Sequence, residues 1–135
     1  MSTETVFDPL RRKEVAATPE ETVRQWFISW LRDTAGVPAH LMMSEAGFKY
    51  GNKRYRADIL VYGRDAGPLA VVECKRPDVP LSAAVAAQAM RYDMVLGVHW
   101  IFLTNGVETL VFRRDGSSFV PCKQIPDYQQ MLCQL

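Results

Sequence analysis

Val71-Val72-Glu73-Cys74-Lys75 starts apolar and closes on two opposite charges placed two residues apart. Side chains of a strand alternate between faces, so Glu73 and Lys75 share one face. Glu and Lys are rarely buried without a partner, yet this stretch reads as a central strand. The preceding extended run, Ala57-Asp58-Ile59-Leu60-Val61, holds another acid among apolar residues, and an antiparallel hairpin brings Asp58 beside Glu73. Two carboxylates that close repel each other unless a cation lies between them. Oxygen ligands without His or Cys suit a hard ion, here magnesium with manganese as a substitute, and one or two carboxylates plus a substrate phosphate are its usual ligands. Lys75 could then orient or activate an attacking water, or stabilise charge developing on the phosphate. An isolated Glu-x-Lys triplet reads equally well as a structural ion pair at a strand end, with Asp58 in a turn. What favours the metal site is placement: an acid in one strand, the triplet closing the next, and a helix directly afterwards.

The surrounding pattern supports that placement. Extended segments are expected at about 41–50, 54–62 and 68–75, separated by turn signals at Gly51-Asn52 and at 63–68. Upstream, Thr18-Pro19-Glu20-Glu21 is a helix start, with Thr18 as N-cap, Pro19 at the first helical position and Glu21 closing a capping box. The helix is expected to end near Asp33, before Gly36 and Pro38. Val23, Phe27, Trp30 and Leu31 form its buried stripe. At about 100° per residue Glu20 projects onto that stripe and Glu21 toward its flank; the plainer role for Glu20 is to complement the helix dipole. Downstream, a second helix is expected from about Ser82 to Leu96, then strands at about 98–104 and 107–113 around a tight Asn105-Gly106 turn. Helix, three strands, helix, two strands is an α/β order around a mixed sheet, because the last strand-helix-strand connection needs a parallel crossover. Residues 1–17 lack a sustained period and are expected to be an N-terminal arm, leaving 18–135 as a single domain.

Composition narrows the function classes. The 135 residues are 48% hydrophobic and 23% charged, the profile of an ordinary globular protein. Apolar runs stay far below the roughly 18 residues of a membrane span, and the N-terminus has no signal-peptide pattern, so a cytoplasmic protein without membrane association is expected. Cys74, Cys122 and Cys133 are odd in number and far apart, which suggests reduced thiols rather than a zinc site. His40 and His99 are isolated. A net charge of +1 gives no global pull on a polyanion, so nucleic-acid binding would need a local basic surface. Lys49, Lys53, Arg54 and Arg56, interleaved with Tyr50 and Tyr55, provide one in the hairpin leading to Asp58. Solvated hairpin charges are the commoner explanation of such a run, but Arg56 stands two residues before Asp58, which favours DNA contact by Lys53, Arg54 and Arg56.

Asp58 followed by Glu73-Cys74-Lys75 resembles the signature of the PD-(D/E)XK nuclease superfamily. Further blocks extend the likeness: Pro19-Glu20-Glu21-Thr22-Val23-Arg24-Gln25, Arg54-Tyr55-Arg56-Ala57-Asp58-Ile59, Glu73-Cys74-Lys75-Arg76-Pro77, Gln88-Ala89-Met90-Arg91-Tyr92 and Thr104-Asn105-Gly106. Taken in order over about residues 18–128, they are similar to the N-terminal nuclease domain of type I restriction enzyme R subunits. The resemblance implies a restriction-endonuclease-like fold, a mixed central sheet flanked by helices with an αβββαβ core. It implies that Asp58 and Glu73 bind the metal, that Lys75 serves the water or the transition state, and that Glu20 supports the metal site. Gln88 and Tyr92, four apart on one helix face, would match a glutamine-tyrosine motif that contacts the DNA backbone. Ala57 stands where the superfamily name has proline. No G-x-x-x-x-G-K-[ST] loop is present, so no ATP-driven motor is expected in this chain.

The expected function is metal-dependent hydrolysis of phosphodiester bonds in nucleic acid, DNA first, in restriction or DNA processing. The expected partners are DNA, a separate helicase or specificity subunit, and a second copy of the chain. The rival, of a different class, is an inactive nuclease-fold module that binds DNA or a protein partner.

Overall fold

The computed structural model describes residues 4–134, with the side chains of residues 50 and 92–95 outside the described set. Strands β1 (Thr5–Asp8) and β2 (Lys13–Ala16) pair as a hairpin, followed by helix α1 (Pro19–Asp33) and a short 3-10 turn at Ala39–Leu41. Strands β3 (Met42–Tyr50), β4 (Lys53–Tyr62) and β5 (Pro68–Cys74) follow, then helix α2 (Ala83–Leu96). Strands β6 (Trp100–Thr104), β7 (Thr109–Asp115) and β8 (Ser118–Cys122) and helix α3 (Tyr128–Cys133) complete the chain. The six strands β3 to β8 form one sheet in sequence order. Every neighbouring pair is antiparallel except β5 and β6, which run parallel across the α2 crossover. The mixed sheet flanked by helices is therefore the expected one. Among the described residues, no helix is long and apolar enough to cross a membrane.

Helix α1 begins where its capping residues require. Thr18 Oγ1 accepts from Glu21 N at 3.1 Å with Pro19 in the first turn, and Val23, Phe27, Ile28 and Leu31 are buried. The helix closes through Gly36 at φ 81, a left-handed position that Gly adopts without strain. Val37 N donates to Leu31 O at 2.9 Å across this turn.

Apolar side chains on alternate strand positions build two clusters. One packs Phe27 and Leu31 of α1 on Ile59, Val61, Val72 and Phe102, joined by Tyr128 and Met131 of α3. The other gathers Leu60, Val71, Ile101 and Ala89 of α2. Strict alternation would place Ala57 and Leu60 on opposite faces, yet both belong to the second cluster. The alternation breaks around Asp58, where the facing strand carries Glu45 at φ 52 between the pairs Ser44↔Ile59 and Ala46↔Ala57.

The expected N-terminal arm is instead a folded hairpin over residues 5–16. Asp8, fully buried, accepts from Leu10 N at 2.7 Å and Arg11 N at 3.1 Å, so its side chain forms the turn. Arg11 Nε closes on the same carboxylate, and Arg11 Nη2 reaches Glu21 Oε1 of α1 at 2.7 Å. Burial pushes the Asp8 carboxyl upward, but these hydrogen bonds outweigh it and hold the group below its ordinary range. Asp8→Ala strands three donors at a buried turn and is expected to cost roughly 3 kcal/mol of unfolding free energy in a urea titration. A loss under about 1 kcal/mol would show that the hairpin adds little to the fold.

The Asn105-Gly106 connection also differs from a two-residue turn. Thr104 pairs with Thr109, so the loop holds residues 105–108, and β7 starts two residues later than expected. Buried Asn105 sets this length: its Oδ1 accepts from Val107 N and Glu108 N at 2.9 and 2.8 Å, and its Nδ2 donates to Val79 O at 2.9 Å.

Candidate active site

Strand β5 places Glu73 and Lys75 from its apolar interior outward. Its backbone is held on one side by the parallel ladder to β6, continued by Lys75 N donating to Thr104 O at 2.8 Å. On the other side the β4–β5 register begins at Ile59↔Val72, and one step beyond it a side chain meets the strand. Asp58 Oδ2 accepts from Cys74 N at 2.7 Å. Asp58 is thus wedged between the strands beside Glu73.

Glu73 is 9% exposed and lines a cavity of ≈ 70 Å³ with Lys75, Leu103, Arg56 and, from α2, Val85, Gln88 and Ala89. Burial first, then the charge and hydrogen-bonding proximity of Asp58, raise its carboxyl to about 8; Lys75 pulls the other way and Glu20 adds to the rise. Among the described residues, Glu73 Oε1 is buried with no hydrogen-bond partner. The expected residues Asp58, Glu73 and Lys75 therefore come together, and Gln88 reaches the same cavity. Tyr92 lies outside the residues whose side chains are described.

The repulsion between the two acids is met in two ways that the sequence did not suggest. Arg24 of α1, only 5% exposed, donates from Nη2 to Asp58 Oδ1 at 2.9 Å. Glu73, with its raised proton affinity, can be neutral near pH 7. Among the described residues, no group of three or more His, Cys, Asp or Glu forms a metal cluster. The pair still fits a hard divalent ion, because a buried carboxylate oxygen without a partner sits beside a second carboxylate, and magnesium needs only one or two. Cys74 is no rival nucleophile: it is buried, and burial above all, with the charge of Asp58, raises its thiol well above the ordinary range.

The expectation for the first-turn acids is corrected. Glu21 is the buried one, 8% exposed, while the Glu20 side chain is 46% exposed and stands 4.0 Å from Arg24 Nη2. Arg11 and Arg24 draw Glu21 inward at 2.7 and 3.2 Å, and Gln25 Nε2 donates to its other oxygen, so its carboxylate is engaged by these three side chains. Glu20 still faces the acid cluster, as its charge acts on Glu73.

A family model described as type I restriction enzyme R protein N terminus matches residues 19–126. The chain belongs to this family. Two solved structures share the fold of this R-protein N-terminal domain. One is a fragment assigned as the HsdR subunit of a type I restriction enzyme from Vibrio vulnificus YJ016, with 23% identity and a TM-score of 0.66 over 87% of this chain. This chain spans 25% of that one's length. The other, a protein of Anabaena variabilis ATCC 29413 assigned as a nuclease of the DUF820 group, has 12% identity and a TM-score of 0.56, covering 98% of this chain and 86% of its own. No curated protein sequence matches significantly. The mixed sheet agrees with both neighbours.

Around the acids, the R-protein domain presents the basic hairpin expected from sequence. Lys49 faces Arg54 and Gly47 faces Arg56 across β3 and β4, and Lys53, Arg54 and Arg56 are exposed. Phe48 and Tyr55 stack at 5.4 Å, and with Lys49, Arg54 and Arg56 they border a concavity of ≈ 850 Å³. Arg56 also borders the Glu73 cavity and the hollow at the start of α1, and its Nη1 holds Glu45 Oε2 at 3.2 Å. It joins the basic surface to the acidic site.

Three residues at the site carry roles that pattern reading missed. Arg24 looks like a helix-surface charge three residues from Glu21. Glu45 sits mid-strand; burial works to raise its carboxyl, but the hydrogen bond and charge of Arg24, with Arg56 and Arg11, leave it lowered. Arg11 lies in the stretch whose sequence predicts an arm. The one available signal was Asp8-Pro9, a turn-initiating pair between two short extended runs.

Proposed function

We propose that this domain is a magnesium-dependent nuclease, manganese substituting, that hydrolyses phosphodiester bonds in DNA. The observation that carries the reading is the unpartnered, buried Glu73 Oε1 beside Asp58 and Lys75. Asp58 and Glu73 would hold the ion. When bound, it supplies Lewis acidity that eases deprotonation of water and neutralises charge on the phosphate. Lys75, in the same cavity as Glu73, orients the attacking water or stabilises charge in the transition state. Glu20 adds negative charge at the rim of the acid cluster and supports the ion. Gln88, which lines the Glu73 cavity from α2, contacts the sugar-phosphate backbone; the same role for Tyr92 rests on the family resemblance alone. Lys53, Arg54 and Arg56 pair with phosphates and fix the register of the strand, a contribution that salt weakens. The likeness to the N terminus of a type I restriction enzyme R protein suggests that a helicase or specificity subunit acts with this domain. Cutting both strands with one site per chain would favour a homodimer.

The Arg24–Asp58 ion pair favours a second reading, a DNA- or partner-binding module that no longer cuts, because Asp58 already has a cation. Incubation of labelled single- and double-stranded DNA with the purified chain separates the two. Cleavage is expected with Mg2+ or Mn2+, none with chelator, and none with Asp58→Asn, which keeps an acceptor for Cys74 N but loses the charge. Cleavage by Asp58→Asn at the wild-type rate rejects this site as the source of the cleavage, and binding without cleavage by the wild type rejects the nuclease reading.

A further inference from the structure

The guanidinium of Arg24 lies at the centre of an ion-pair network that joins four segments. Its Nη2 donates to Asp58 Oδ1 of β4 at 2.9 Å, and its Nη1 donates to Glu45 Oε1 of β3 at 2.8 Å and to Glu21 Oε1 of α1 at 3.2 Å. Glu21 and Glu45 are shared in turn with Arg11 of the β1–β2 hairpin, at 2.7 and 3.8 Å. Burying a guanidinium is costly unless its acceptors are well placed, and here the charge is buried beside an acid suited to hold a second cation. Both oxygens of Asp58 are taken, one by Arg24 and one by Cys74 N. Among the described residues, Glu73 Oε1 has no hydrogen-bond partner.

We propose that Arg24 is a positioning residue that stands in for the divalent ion in the metal-free domain, orienting Asp58 and competing with the ion for its charge. The inference rests on Asp58 and Glu73 being the ion's ligands. Glu21 and Glu45 hold Arg24 in place when Asp58 turns toward the ion, so the exchange gives up one hydrogen bond and not the whole network. The same positive charge weakens ion binding and offsets the repulsion between the two acids when the ion leaves.

Calorimetric titration of Mg2+ alone, and of Mn2+ alone, into the full chain tests this, with thermal midpoints recorded at both endpoints. Arg24→Gln removes the competing charge and is expected to bind the ions about tenfold more tightly. It should also gain a larger rise in midpoint from them, and to cleave DNA more slowly because Asp58 has lost its orienting bond. Arg24→Lys keeps the charge without the planar fork and is expected to restore near wild-type ion affinity. Arg11→Met removes the outer cation, moves affinity the same way by less, and decides the matter if Arg24→Gln does not fold. A role confined to packing would not tighten ion binding, so unchanged or weaker affinity in these variants overturns the proposal. If the wild type binds neither ion, the reading of the site fails and this inference goes with it. If the wild type binds and Asp58→Asn does not, while Arg24→Gln is no tighter, the inference alone fails.

Discussion

Glu73→Gln is expected to abolish cleavage, by roughly 10³-fold or more if the ion supplies several kcal/mol of transition-state stabilisation, and yet to stabilise the metal-free protein. Glu73 is buried beside Asp58, and its carboxyl is raised from the ordinary 4.5 to about 8. An acid that holds its proton more tightly folded than unfolded makes the native state bind more protons between those two values. Stability then falls as pH rises from about 4.5 to about 8 and levels off above. Gln mimics the protonated acid, since its amide can donate to the Asp58 carboxylate, and it has no charge to lose. Thermal scans from pH 5 to pH 8 should show the wild-type midpoint declining by several degrees while the variant's slope is flatter, the two curves separating most at pH 8. Parallel curves, or a variant less stable at pH 8, would show that Glu73 is not under electrostatic stress.

Lys75→Met is expected to lower the cleavage rate by roughly 10²- to 10³-fold, the range seen when one charged or hydrogen-bonding stabiliser of a transition state is removed. Unlike Glu73→Gln it should leave ion affinity intact or slightly tighter, because it removes a positive charge and no ligand. Lys75 pulls the Glu73 carboxyl downward. Without it, any limb of the wild-type pH–rate profile set by Glu73 should move to higher pH. The split between the two variants, one losing the ion and the other losing only the rate, is read by calorimetry and single-turnover cleavage. Loss of ion binding in Lys75→Met would place the lysine among the groups that build the metal site.

How far these residues could be located from sequence depended on whether their partners were local. The cap of α1, the β4–β5 hairpin and the α2 crossover follow from neighbours a few residues apart, and with them the meeting of Asp58, Glu73 and Lys75. Arg24 was not legible, because its burial is decided by Glu45 and Asp58, 21 and 34 residues away. The choice between Glu20 and Glu21 failed for the same reason: helical projection sees the stripe but not Arg11 arriving from another element. At the C-terminal end, the Asp115-Gly116 turn into β8 and the Asp127…Gln130 capping box of α3 carried local signals. Pro121 in an edge strand and a helix of six residues kept those signals short.

The wedge that Asp58 drives between β4 and β5 gives that aspartate two employments. One oxygen satisfies the amide of Cys74 and the other a buried guanidinium, so replacing it unlocks the fork of the sheet whether or not any phosphodiester is ever cut. Glu73 has no such second duty, and its solitary oxygen burdens the fold. In relatives that abandoned chemistry, drift would discard the glutamate first and spare the aspartate, which makes the residue at the Glu73 position the better diagnostic of a working blade.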